Sequence, residues 1–390
     1  GIAALGIDMA MLDALRKDDL YPTLPDAANY AIALAYTALC VTISVYLYVE
    51  FEPLGTVRAG IWNNTDLLLG GAMVLLVMEF TRKRYFELFV LNIALILYAA
   101  YGWVVPGMFH HPCLSWTRIV TSMSLEDATG VFSPLPQLAL TLIGSFLLVL
   151  SVLRAFGCID TILRGASQVG SRSSVALPQT AVLGSLAVGT VSGSGAANAI
   201  TIGSATIPAM IGAGMSREDA ASVETASSLG GQLMPPVMGI SAFLMADFLG
   251  RSYFDVVARG YAPALIYYAG VSVGVYLLTV RYGTIRSPIV ARPLTWVDYV
   301  NLLAFLGVGG GLILMMALLR LPPMFAALYV FAAIGALVLL RTAIEAWARV
   351  GRERLRALGV PLLRFLDSYT SMTAELTLLL ATLGILTSAF

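Results

Sequence analysis

The chain has 390 residues, of which 58% are hydrophobic and only 12% charged, well outside the balance of ordinary soluble domains. Its mean hydropathy of +0.84 predicts an all-α polytopic membrane protein with room for roughly ten spans of about 20 apolar residues. Lys plus Arg and Asp plus Glu number 23 each, so no overall field recruits nucleic acid or an anionic partner. Cys40, Cys113 and Cys158 form no CxxC pair and no disulfide framework, which gives redox chemistry no support.

Residues 1–28 contain Asp8, Asp13, Arg16, Lys17, Asp18 and Asp19 together with Pro22 and Pro25 and read as an interfacial or soluble lead-in. Spans are predicted at 30–49, 65–80 and 85–105. The basic knot Arg82-Lys83-Arg84 between the second and third places the N-terminus of the first span in the cytoplasm. Residues 106–128 read as an outer loop. Its His110, His111 and Cys113 lack the spaced partners of a tetrahedral metal site, and Trp103 and Trp116 suit an interfacial belt. A fourth span at 131–156 leads to Asp160, Arg164 and Arg172.

Residues 185–236 organise the rest. Gly193, Gly195, Gly230, Gly231, Pro235 and Pro236 interrupt apolar sequence at membrane depth, where irregular backbone survives only if protein covers it or it lines a wet cavity. Segments 175–190 and 196–211 are too short for a comfortable untilted crossing, so the reading is a re-entrant hairpin with its tip at Ser192, Gly193, Ser194, Gly195 and Asn198. Ser216 with Asp219 predicts a capped helix through Thr225. The following crossing is broken at Ser227, Ser228, Gly230, Gly231, Gln232 and Met234 to Pro236. Hydroxyl and carboxamide oxygens beside freed carbonyls suit a hard monovalent cation such as Na⁺; the alternative is that small residues merely allow close helix packing. Gln232 is the one long polar side chain in the second break, and serves either a ligand or a freed carbonyl. The hydroxyls of Thr201, Ser204 and Thr206 either bind or bond within their own helix.

Glu224 is expected near the cytoplasmic surface, with a proton relay as its alternative role. Asp247 has pairing distance to Arg251, and Glu79 to Arg82 and Lys83. After a returning span at 261–280 come Arg281, Arg286 and Arg292; spans at 297–319 and 325–340 follow. Residues 341–364, with Arg341, Arg349, Arg352, Arg354, Arg356 and Arg364, read as a cytoplasmic arm, and 369–390 as the start of another crossing. No serine, histidine and carboxylate grouping suggests hydrolysis and no phosphate loop ending in GK[ST] is present, so the chain is not read as an enzyme.

The run VSGSGAANAITIGSATIPAMIGAGMSREDAASVETASSLGGQLMPPVMGISAFLMADFLG, residues 191–250, resembles the large membrane component of tripartite ATP-independent periplasmic (TRAP) transporters, of the kind paired with TAXI-type binding proteins. The resemblance implies an elevator-type, ion-coupled transporter of the bacterial cell inner membrane, with a re-entrant hairpin and an unwound transmembrane helix. It implies a fused form: a lead-in at 1–28, small-subunit-like scaffold spans at 29–128, and the first large-subunit span with its connection at 129–172. A transport-domain half at 173–250, scaffold spans with an arm helix at 251–368, and the start of the next half at 369–390 complete the division. The implied partners are a periplasmic TAXI-type substrate-binding protein and a chain or segment carrying a second inverted repeat, which is expected to be missing here. The implied substrates are small organic acids such as a C4-dicarboxylate, 2-oxoglutarate or glutamate. By similarity, Ser192, Gly193, Ser194, Asn198, Gly230, Gly231 and Gln232 form a Na⁺ site and the adjacent substrate wall, with Gly195, Ser228, Met234 and Pro235 facing substrate. Proton coupling and a non-transporting scaffold subunit are the alternatives.

Overall fold

The computed structural model describes residues 21, 25–58, 60–110, 114–126, 129–170, 176–282, 295–347 and 352–388. The side chains at 26, 109, 163, 166–170, 176 and 352–358 lie outside that description, as do the lead-in at 1–20 and His111, Cys113, Arg172, Arg286, Arg292 and Arg349. Every regular element among the described residues is helical. Eight helical segments among the described residues are long and apolar enough to cross a membrane, and they leave large apolar side chains such as Leu34, Leu68, Ile266 and Leu306 exposed. Such a surface suits lipid rather than water, and the chain is a multi-pass membrane protein.

The chain divides into two compact units. The first comprises 1–144 and 367–390. It holds α1 (Asp26–Val49), α2 (Asn64–Arg84), α3 (Phe86–Tyr101), α4 (Trp116–Ser124) and, after Pro134–Leu138 and a π-helical turn at Ala139–Ile143, the first residue of α5 (Gly144–Ala155). Prolines 134 and 136 sit in the opening turn of this span, where a missing amide costs least. Val77, Met78, Ala99, Ala100, Ile119, Met123, Leu378, Ala381 and Ile385 form one core. Thr81 and Thr382 share a buried hydroxyl contact of 2.7 Å. Residues 116–124, read from sequence as part of an outer loop, instead form a helix whose Ile119 and Met123 are buried, because apolar residues four apart share one helical face. Glu79 pairs with Arg82 as expected.

The second unit spans 145–366. It contains the remainder of α5, then α6 (Cys158–Gly170), α7 (Ala176–Ser192), α8 (Gly195–Gly212), α9 (Arg217–Leu229), α10 (Ile240–Phe248), α11 (Tyr253–Tyr282), α12 (Trp296–Ala317) and α13 (Pro323–Trp347). Of the arm expected at 341–364, residues 341–347 end α13, while 352–364 and the following crossing, expected as separate pieces, are one helix, α14 (Arg352–Ser388), which carries Pro361 inside it and passes the unit boundary at residue 366. Likewise 253–260 belongs to the same 30-residue helix as the span after it. Asp247 and Arg251 form no ion pair: Arg251 lies beyond the end of α10 at Phe248, so helical i,i+4 geometry does not reach it.

Arg341 was counted with the cytoplasmic basic group but is buried, donating to Asn301 Oδ1 and, at 3.4 Å, to the Phe156 carbonyl. Asn301 in turn donates to Thr161 Oγ1 at 2.9 Å, and Asp298 accepts from Thr161 and pairs with Arg164. This network ties α6, α12 and α13 together around the Arg341 charge, whose Nε lies 3.5 Å from Glu345 Oε1.

Candidate ion and substrate site

Three helices meet along faces that the sequence marks with small and polar residues. Ser185, Gly189 and Ser192 lie at i, i+4 and i+7 on α7, and Gly195, Asn198, Ile202 and Thr206 recur at helical spacing on α8. Glu224 and Ser228 share a face of α9 that continues to Gly231. Glycine-sized positions let the backbones approach: a Cβ on Gly189 would lie 2.5 Å from the Gly231 Cα.

The chain reverses between α7 and α8. Asn198 Nδ2 donates to the Ser185 carbonyl at 2.8 Å although thirteen residues separate them, a span of about 20 Å had one straight helix continued. The reversal occurs at Gly193, whose φ of +58° favours glycine, and at Ser194, whose hydroxyl caps α8 by accepting from the Ala197 amide.

The second break lies against the first. α9 starts at the Ser216 cap, as expected, and runs to Leu229, four residues beyond the predicted end. A 3₁₀ turn, Gly230–Gln232, follows, and regular helix resumes only at Ile240 rather than directly after the double proline. The irregular backbone is paired between the breaks, where Val237 N donates to the Thr190 carbonyl at 3.2 Å, and within the second, where Gly239 N donates to the Gln232 carbonyl at 2.8 Å. A Cβ on Gly193 would fall 2.2 Å from the Met238 carbonyl oxygen, and one on Gly195 2.8 Å from Gln232 Nε2. Tyr253 holds the Pro236 carbonyl at 2.9 Å while its ring stacks on Phe243. Tyr267 holds the Ala226 carbonyl at 2.7 Å. Gln179 and Ser272 exchange two hydrogen bonds between α7 and α11.

The structure thus brings together Ser192, Gly193, Ser194, Gly195, Asn198, Gly230, Gly231 and Gln232 as neighbours across the breaks. Met234 and Pro235 are buried in the irregular stretch just beyond, while Gln232 is exposed and Ser194 half-buried. Thr201 and Ser204 spend their hydroxyls on carbonyls of α8 itself. Ser228 belongs instead to a second polar cluster, centred on Glu224.

Glu224, expected near the cytoplasmic surface, is buried inside the protein. It is 1% exposed, because α9 turns this face toward α7 and α8, more than a turn beyond the capped end. Ser185 Oγ donates to its Oε1 at 3.0 Å and Ser228 Oγ at 2.7 Å, and Thr206 Oγ1 lies 2.5 Å from Oε2. Close by, Asn198 Oδ1, Ser192 Oγ and Tyr268 Oη are buried without a hydrogen-bond partner. Sequence reasoning passed over Ser185, Gly189 and Tyr268. The first two were legible as the small-residue face of α7; Tyr268 carried no signal in an apolar span.

Residues 72–390 match the family described as tripartite ATP-independent periplasmic transporter, DctM component. The chain belongs to the DctM family. No curated protein matches it in sequence. DctM components are membrane transport proteins, not enzymes, and TRAP transporters generally work with a periplasmic substrate-binding protein and a small membrane subunit. In this DctM chain the match begins inside α2 and includes both breaks.

Proposed function

We propose that this chain is the permease of a bacterial inner-membrane importer that takes small organic acids from a TAXI-type periplasmic binding protein and is driven by the Na⁺ gradient. Membership of the DctM family supports the transport role. The observation that carries the ion site is the pair of buried, unpartnered oxygens Asn198 Oδ1 and Ser192 Oγ beside two interrupted helices. A neutral oxygen set of this kind fits a hard monovalent cation, so Ser192 and Asn198, with the backbone carbonyls of Gly193 and Gly231, would hold Na⁺. Ser194 orders the first break as a helix cap. Gly195, Met234 and Pro235 would line the adjacent substrate wall, whereas Ser228, expected there from the sequence, is turned to Glu224; the α8 amino end beside the wall favours a carboxylate.

In this reading α7 and α8 form a re-entrant hairpin. With 17 and 18 residues they reach about 26 Å, short of a hydrocarbon layer of about 30 Å. Gly230–Gln232 and the irregular backbone after it form the unwound part of a crossing. The hairpin and this crossing would move as a transport domain against scaffold helices, in an elevator mechanism, and the basic end of α2 would place the N-terminus of the first span in the cytoplasm.

The test is uptake of radiolabelled succinate, 2-oxoglutarate and glutamate by proteoliposomes holding the assembled transporter and its binding protein, with and without an inward Na⁺ gradient. Na⁺-dependent accumulation of one of them, reduced in Asn198→Ala, is the expected result. Accumulation of none favours a non-transporting scaffold, and accumulation indifferent to Na⁺ removes the Na⁺ assignment.

A further inference from the structure

Hydrogen counting around Glu224 carries an inference of its own. Thr206 Oγ1 lies 3.0 Å from the Ile202 carbonyl oxygen and 2.5 Å from Glu224 Oε2. A threonine hydroxyl has one proton to donate, and both of these neighbours are acceptors if Glu224 is ionised. A proton on Oε2, donated to Thr206, which then donates to Ile202, gives each contact a hydrogen of its own, whereas an ionised carboxylate leaves the two acceptors to share one. The other oxygen, Oε1, already accepts from Ser185 and Ser228. With a neutral acid every polar atom of the carboxyl group is satisfied.

The surroundings agree with this count. α7 and α8 contain no Asp, Glu, Lys, Arg or His, and neither does the turn Gly230–Gln232. From α11, the titratable groups facing α9 are the hydroxyls of Tyr267, on the Ala226 carbonyl, Tyr268, which is unpartnered, and Tyr282, on Asp219, together with Arg281, whose charge acts on Asp219 at the first turn of α9. The charges of α9 itself, Arg217, Glu218 and Asp219, sit in its first turn. An ionised carboxylate here would have no cation beside it among the described residues, at a desolvation cost of several kcal/mol that protonation removes.

We propose that Glu224 carries an exchangeable proton and is the proton-coupling group of the transporter, in addition to the oxygens assigned to Na⁺. The protonation stands on geometry alone, while the coupling role rests on the transport reading. On release, the Oε2–H bond breaks, the proton passes to water, and the Thr206 hydroxyl rotates from the Ile202 carbonyl to the carboxylate. Being 1% exposed, the acid is occluded in this conformation, so exchange requires α7, α8 or α9 to move. Ser185 links the two sites, with its hydroxyl on Glu224 and its carbonyl on Asn198.

Two measurements test this. Infrared spectroscopy of the full chain in liposomes at neutral pH, without Na⁺ and then with it, should show a protonated-carboxyl stretching band that Glu224→Gln removes and Na⁺ leaves in place. Thr206→Val, which keeps the acid but removes the oxygen it donates to, should shift that band, and serves if the glutamine variant misfolds. A band identical in wild type and Glu224→Gln, or one abolished by Na⁺, overturns the proposal. Separately, uptake of succinate, 2-oxoglutarate or glutamate by the assembled transporter should acidify a trapped pH dye, and Glu224→Gln should lose that acidification. Uptake without acidification in the wild type overturns the coupling role. Absence of any uptake instead counts against the transport reading, and the infrared band still decides whether Glu224 holds a proton.

Discussion

Asn198 and Glu224 are held by one residue, Ser185, which receives the Asn198 amide on its carbonyl at 2.8 Å and places its hydroxyl 3.0 Å from Glu224 Oε1. Ser185→Ala removes the second contact and leaves the first. It should lower stability by about 1 kcal/mol, the usual net worth of a hydrogen bond. Because Ser228 serves the same oxygen, Ser185→Ala and Ser228→Ala should combine non-additively. Chemical unfolding of the four members of that cycle in detergent measures it.

Close backbone approach at the breaks predicts a sharp contrast among glycine substitutions. Gly193→Ala places a Cβ 2.2 Å from a carbonyl oxygen at positive φ, and Gly189→Ala places one 2.5 Å from a Cα. Neither neighbour is a flexible side chain, so both variants should lose uptake and unfold at lower temperature. Gly270→Ala, on α11 with nothing within 4 Å, should be neutral or stabilising by about 0.4–1 kcal/mol. Thermal unfolding and uptake measured side by side check the contrast.

The buried Arg341 network makes a third prediction. Asn301→Ala deletes the acceptor of the Arg341 guanidinium and the donor to Thr161, leaving a buried charge with the Phe156 carbonyl and Glu345 as its remaining partners. A destabilisation of about 3 kcal/mol is expected, within the range for breaking a buried charged pair. Arg341→Met together with Asn301→Leu should recover much of the loss, since both partners are then apolar. Detergent unfolding curves of the single and double variants give the comparison.

At the start of α9, the Tyr282 hydroxyl and the Ser216 cap hold the Asp219 carboxyl below its ordinary value of 3.8. A group whose folded value is depressed contributes stability above its unfolded value and loses it as pH falls through the folded one. Tyr282→Phe should therefore lower the unfolding temperature at neutral pH, and the difference from wild type should fade once pH drops below 3.8. A difference that persists unchanged in acid would assign the effect to packing of the ring.

Much of this was legible in the sequence because the signals were local. Long apolar runs announced the spans, Ser216 and Asp219 the cap of α9, and glycines with the double proline both breaks. What was not legible depended on partners distant in sequence. Glu224 reads as polar and cytoplasm-proximal within SREDAASVE, and only the packing of α7 and α8 buries it. Arg341 reads as one more positive charge beside a span, and only Asn301, forty residues earlier, draws it inward. The continuity of α14 was hidden because the arm was ended at Arg364, the last of its basic residues, whereas the helix runs on without a break into the next crossing.

The most direct measurement of the central claim is equilibrium binding of radioactive sodium to the purified full chain, comparing wild type with Asn198→Ala and Ser192→Ala. The account predicts saturable binding that weakens by about tenfold or more in each variant, equivalent to about 1.4 kcal/mol per lost oxygen, while both remain folded by their unfolding curves. Saturable binding with equal affinity in all three proteins would contradict it, and the paired breaks would then be a packing device.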